Sequence, residues 1–205
     1  MSKLKIYGIP ASRTFRVLWC ANELGLDYEL VPTHFADQTS KTPEYLAINP
    51  NGKIPAIEDG ELKLWESMAI NCYLAKKHGS GLWPKTPEDE AKVLQWSLWV
   101  MTLIEAPLLT LLIQNFARPP AERDAEACEA AEEELQAPLK VLDAALVPSG
   151  YLVGRSFSLA DLNVAGVLSW AKPARLDLSA FPHVARWLDA ALARPAAAKA
   201  LPRRG

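Results

Sequence analysis

Apolar and polar positions change rhythm several times in the first eighty residues. Leu4–Tyr7 alternates as a strand does. Arg13–Leu24 carries helical spacing and runs into Gly25, a residue suited to ending a helix. Tyr28–Val31 predicts a second strand, and Pro43–Ile48 a short helix with proline in its first turn. Ile54–Glu58 and Leu62–Leu64 predict a hairpin around Asp59-Gly60. Ser67–His78 predicts a helix with Gly79 just beyond it. The order β-α-β-α-β-β-α implies a mixed sheet flanked by helices.

Gly79 to Pro87 is a break rich in Gly and Pro, and predicts a linker. Strand signals stop after it. Helices are expected over Glu88–Phe116, Ala121–Leu146, Leu159–Trp170 and Val184–Ala193, with a short tail from Pro195. Pro107 and Pro138 fall inside two of them and should kink or split them. The Glu-rich run Glu122–Glu134 reads as a solvated helix face. Ser158-Leu-Ala-Asp161 has the form of a capping box, with Phe157 and Leu162 spaced as a hydrophobic staple. Two domains follow, 1–79 and 88–205, an α/β domain and an all-helical one.

Composition narrows the function classes. Of 205 residues, half are hydrophobic and 22% charged, with a net charge of −2, so neither a nucleic-acid footprint nor a polybasic membrane patch is present. The most apolar region, Val93 to Phe116, is interrupted by Gln95, Ser97, Glu105 and Gln114 and reads as a buried helix instead of a membrane span. The start MSKLKIYG enters a strand directly, which makes a cytoplasmic address the expectation. Cys20, Cys72 and Cys128 are odd in number, lack a C-x-x-C spacing and suit buried, reduced thiols better than disulfides or a metal.

The chemistry gathers around NPNGKIPAIEDGELKLWES, Asn49 to Ser67. Ser12, between the first strand and the first helix, places a hydroxyl at a helix N-terminus, where an anion is stabilised; capping is its ordinary alternative role. Ile54-Pro55 ahead of a strand suggests a cis peptide that would turn the Ile54 backbone toward an extended peptide ligand. Glu66 offers a carboxylate to an ammonium. Ser67 offers a hydroxyl and a helix-terminal N–H to a carboxylate. Lys41 and Lys53 can meet a second carboxylate. The set fits a short zwitterionic peptide.

In these residues the chain resembles the cytosolic glutathione transferases, most of all their serine-type (phi- and theta-like) classes. The resemblance is carried by Tyr7-Gly-Ile-Pro-Ala-Ser12 with Arg16-Val-Leu, by Asn49-Pro-Asn-Gly-Lys-Ile-Pro-Ala56, by Asp59-Gly-Glu-Leu-Lys-Leu-Trp-Glu-Ser67 and by Ser158-Leu-Ala-Asp161. It implies a thioredoxin-like α/β N-terminal domain, an all-α C-terminal domain holding the second-substrate pocket, and a homodimer. It implies glutathione as co-substrate without a metal, and an apolar electrophile as second substrate, a detoxification chemistry with peroxidase as a side activity. Ser12 would face the glutathione sulfur, Ile54 and Pro55 the cysteinyl unit, Glu66 and Ser67 the γ-glutamyl end, and Lys41 and Lys53 the glycyl carboxylate. Tyr7 is the rival sulfur-directed hydroxyl. Ser40 stands where related sequences often carry histidine. Trp99, Phe116 and Trp170 are candidate pocket liners, with core packing as their ordinary alternative. A transferase-fold scaffold without turnover is the second functional reading.

Overall fold

The computed structural model describes residues 3–79 and 81–201. By packing, the chain divides into two units: one runs to Trp83 and resumes at Arg194, and the other is Pro84–Ala193. The sequence pattern assigned residues after 193 to the helical half, whereas this division groups them with the first unit.

In the first unit, β1 (Leu4–Gly8), β2 (Tyr28–Pro32), β3 (Ala56–Asp59) and β4 (Leu62–Trp65) form one sheet in the order β2-β1-β3-β4. β1 and β2 are parallel, and β3 runs antiparallel to both β1 and β4. The β1–β2 connection is α1 (Thr14–Glu23), as a parallel pair requires a crossover. α2 (Pro43–Leu46) and α3 (Ser67–His78) complete the expected order. Strand alternation sorts the two faces. Leu4 and Ile6 of β1 are buried with Ile57 of β3, and α1 and α3 pack together and against these strands. On the other face Tyr45 of α2, Ile54 and Ala56 form a small cluster with Tyr7, Ile9 and Ile48. α9 (Pro195–Ala200) lies along α1. Arg194 fixes it there with a two-pronged ion pair to Glu23, at 2.6 and 2.8 Å, and Asn22 donates to the Ala196 carbonyl at 3.1 Å.

The second unit contains α4 (Pro87–Leu103), α5 (Glu105–Leu112), α6 (Ala125–Leu146), α7 (Leu159–Leu168) and α8 (Pro182–Leu192). α7 is buried at every position, so its neighbours α4, α5 and α8 must wrap it. The single helix expected over Glu88–Phe116 is broken: α4 and α5 meet at a 44° bend around Ile104, and a π-type turn, Ile113–Ala117, follows α5. The break precedes Pro107 because a proline ring clashes with the carbonyl four residues earlier, here Leu103, and is tolerated in a first turn. Pro138 does not split α6, which runs unbroken from Ala125 to Leu146. Leu94, Leu98 and Phe116 of the expected buried region are exposed, Phe116 by 73%. On α6, Ala131, Leu135, Leu139, Leu142 and Leu146 form the buried stripe, while the glutamates face water.

The capping box is present at α7. Asp161, fully buried, accepts from the Ser158 N–H and O–H at 2.9 and 2.7 Å, from the Leu152 N–H at 3.0 Å and from the Trp187 indole N–H at 3.0 Å. Among the described residues no single helix is long and apolar enough to cross a membrane.

Candidate glutathione site

Strand register collects the candidate residues. Gly8, the last residue of β1, pairs with Pro32, where β2 also ends. Tyr7 pairs with Ala56, the first residue of β3, and Ala56 pairs with Trp65, the last of β4. The loop holding Ser12, the Ile54-Pro55 step and the Glu66-Ser67 step therefore leave the sheet at one end. The N-termini of α1 and α3 open at that same end, each carrying roughly half a positive charge. In α1 the Thr14, Phe15 and Arg16 N–H groups are taken by Ser12 Oγ, the Ser12 carbonyl and the Arg13 carbonyl, at 3.1, 3.0 and 3.2 Å.

Ser12 is partly exposed and stands just outside α1, whose cap residue is Arg13. Its Oγ lies 2.7 Å from the Ile9 carbonyl and 2.9 Å from Thr14 Oγ1, and accepts the Thr14 N–H at 3.1 Å. The rival hydroxyl, Tyr7, is committed elsewhere. It donates to Glu58 Oε2, and burial, with the Glu58 carboxylate beside it, pushes the phenol well above its usual range. Its side chain also faces the α2 side, with its ring 5.8 Å from that of Tyr45.

The Ile54-Pro55 peptide is cis. The peptide before it is held by two donors that sequence reasoning missed as site residues. Tyr45 Oη and Asn49 Nδ2 each donate to the Lys53 carbonyl at 2.6 Å. Asn49 Oδ1 in turn accepts the N–H and amide of Asn51, at 3.1 and 3.0 Å. In a trans peptide the N–H points opposite the carbonyl. The Ile54 N–H is thus aimed away from Tyr45 and Asn49, and has no partner among the described residues. Burial raises the Tyr45 phenol to about 12, so it remains a donor throughout the working pH range. A tyrosine in a four-residue helix gave no pattern signal; only its spatial return to Lys53 reveals it.

Glu66 is exposed and adopts φ 73°, ψ 113°, a conformation that costs a non-glycine residue roughly 1–3 kcal/mol. It turns the chain so that Ser67, not a capping side chain, is the first residue of α3. Ser67 is 3% exposed, and its hydroxyl makes no hydrogen bond to another described residue. Lys41 and Lys53 are exposed. Lys41 Nζ donates to the Asn51 carbonyl at 3.3 Å, folding over the turn at Gly52. A Cβ at Gly52 would stand 2.5 Å from Lys41 Nζ and 2.9 Å from the Ser40 carbonyl, and φ there is +58°, so both space and backbone demand glycine. Ser40 is fully buried, and its hydroxyl has no partner among the described residues. The three cysteines are free; Cys20 is fully buried, and burial drives its thiol well above its usual range, while Cys72 and Cys128 are half-buried. Among the described residues no group of three or more His, Cys, Asp or Glu could hold a metal.

The sheet order, the cis-proline step and two helix N-termini at one sheet end, followed by a helical unit, define a thioredoxin-like fold of the transferase kind. Comparison places it. The profile described as "Glutathione S-transferase, N-terminal domain" matches residues 2–76, and "Glutathione S-transferase, C-terminal domain" matches residues 101–195. The chain belongs to the glutathione S-transferase family. It is 40% identical to glutathione S-transferase 3 of Zea mays over 96% of this chain and 92% of that one. The theta-class enzyme of Xanthomonas axonopodis pv. citri, solved with glutathione bound, superposes with a TM-score of 0.91 at 31% identity, covering 100% of this chain and 99% of that one. A maize glutathione S-transferase I in complex with an atrazine glutathione conjugate gives 0.86 at 35% identity, covering 97% and 96%.

Proposed function

We propose that this protein is a glutathione transferase that conjugates the glutathione thiolate to an apolar electrophile, working as a cytoplasmic homodimer. The observation that carries the site assignment is the convergence at one sheet end of the unpaired Ile54 N–H and Ser67 hydroxyl with the positive N-terminal ends of α1 and α3. Ser12 donates to the sulfur. Ile54 and Pro55 present backbone to the cysteinyl unit. Ser67 binds the γ-glutamyl carboxylate and Glu66 its ammonium, and Lys41 and Lys53 attract the glycyl carboxylate. A helix N-terminus and a hydroxyl donor both favour the anion over the neutral thiol; comparable surroundings bring protein thiols from about 8.5 to roughly 3.5–7.5. The thiolate then attacks the electrophilic carbon, the carbon–sulfur bond forms, and the leaving group departs with its electron pair. Near full-length similarity to proteins named as glutathione S-transferases supports an enzyme over a scaffold of the same fold.

The deciding experiment follows the thiolate absorbance of bound glutathione, together with conjugation to a generic aryl halide, in wild type, Ser12→Ala, Glu66→Ala and Ser67→Ala. Ser12→Ala should retain binding but lose the thiolate band at neutral pH and most turnover. The other two should lose affinity. Wild-type turnover in Ser12→Ala would overturn the sulfur assignment, and full affinity in both remaining variants would overturn the γ-glutamyl assignment.

A further inference from the structure

Thr14, the first residue of α1, is fully buried, yet both of its hydrogen-bonding donors converge on one atom. Its N–H donates to Ser12 Oγ at 3.1 Å, and its Oγ1 lies 2.9 Å from that same oxygen. Ser12 Oγ is the only partner of the Thr14 hydroxyl among the described residues. The third neighbour of Ser12 Oγ is the Ile9 carbonyl at 2.7 Å, which can only accept. A hydroxyl has one hydrogen and two lone pairs. Once Ser12 gives its hydrogen to Ile9 or to a ligand, the buried Thr14 hydroxyl keeps a bond only by donating to Ser12. Both Ser12 lone pairs are then filled by Thr14, one from the backbone and one from the side chain. Thr14 fills the space that a side chain at position 8 would take: a Cβ on Gly8 would stand 2.0 Å from Thr14 Oγ1.

We propose that Thr14 is a positioning residue for Ser12: it occupies the acceptor positions of Ser12 Oγ and leaves that hydroxyl able to act on a ligand only as a donor. A thiol needs an acceptor for its own hydrogen, whereas a thiolate needs a donor. Ser12 held in this way selects the anion, and the donation from Thr14 further polarises the Ser12 O–H. The inference rests on the sulfur assignment of Ser12 made above.

The test titrates the thiolate absorbance of bound glutathione against pH in Thr14→Val, Thr14→Ser and Ser12→Ala, beside binding of S-methylglutathione, which has no ionisable thiol. Thr14→Val should raise the bound thiol's pKa by about 0.5–1 unit and lower kcat/KM at pH 6.5 by about 3–10-fold. Affinity for S-methylglutathione should stay within about twofold, and Thr14→Ser should restore the wild-type titration. Thr14→Val titrating as wild type while Ser12→Ala is shifted overturns the role of Thr14 and leaves Ser12 standing. If neither variant shifts the titration, the Ser12 assignment falls as well. Equal loss of S-methylglutathione binding would mark Thr14 as merely structural. Should Thr14→Val not fold, Thr14→Ala is read by the same criteria.

Discussion

Replacing Asp161 by alanine tests how one carboxylate organises the helical unit. The residue is fully buried and accepts four hydrogen bonds, from Leu152, Trp187 and twice from Ser158. Alanine leaves three N–H donors without an acceptor, while the Ser158 hydroxyl can rotate. An orphaned buried donor costs roughly 1–3 kcal/mol. Two effects reduce the sum: water can enter the vacated space, and the carboxylate's own desolvation, which pushes the Asp161 carboxyl above its usual range, disappears. A net loss of about 3–4 kcal/mol remains, which in a chain of this size lowers Tm by about 6–16 °C. Ser158→Ala removes a single hydroxyl bond and should cost about 1 kcal/mol. Asp161→Asn keeps one acceptor oxygen but turns an amide toward donors, and should fall between the two. Thermal melts and urea denaturation at pH 7 give the ranking, with glutathione affinity measured well below the melting range as a control. If Asp161→Ala melts within about 2 °C of wild type, or no lower than Ser158→Ala, the hub reading is wrong.

Three further outcomes follow from the first unit. The Glu23 carboxyl is half-buried, which alone would raise it, but Arg194 and Trp19 outweigh burial and hold it below its ordinary value. The pair therefore stabilises fully above the unfolded value of about 4.3 and is lost as pH falls through the lower folded value; after discounting for solvent, Arg194→Ala should cost about 1 kcal/mol at pH 7 and progressively less below about pH 4, as urea midpoints across pH would show. Tyr45→Phe frees the Lys53 carbonyl from one of its two donors. It should raise KM for glutathione about 3–10-fold with little change in kcat, and an unchanged KM would remove Tyr45 from the site. Gly52→Ala forces a side chain into φ +58° and against the Ser40 carbonyl. It should lower both Tm and glutathione affinity, with Lys41→Ala lowering affinity alone.

Much of this architecture is legible in the sequence, because local signals and tertiary packing agree. Gly25 and Gly79 close α1 and α3, and both adopt the left-handed conformation that makes glycine a stop. Glu-Ser and Ile-Pro were recognisable because each combines a backbone geometry with a side-chain chemistry. The bend near Pro107 was expected, but its position needed the steric rule that a proline acts on the residue four before it. Phe116 was harder, since apolar character does not say which way a π-type turn will point a ring. Tyr45 and Thr14 were out of reach for a different reason. Their partners are fixed by the folded path of the chain, across eight residues in one case and through a turn of unknown form in the other.

The pairing of Arg194 with Glu23, and of α9 with α1, has a consequence for how the chain is assembled. Pro84–Ala193 is topologically an insertion, entered and left through the first unit. That unit cannot complete its own packing until residues 194–200 have been synthesised, long after its sheet and site loops have been made. A shuffling experiment that exchanges helical units between relatives should therefore cut twice, near 83/84 and 193/194. A single cut after the linker would give each hybrid an α9 chosen for another protein's α1.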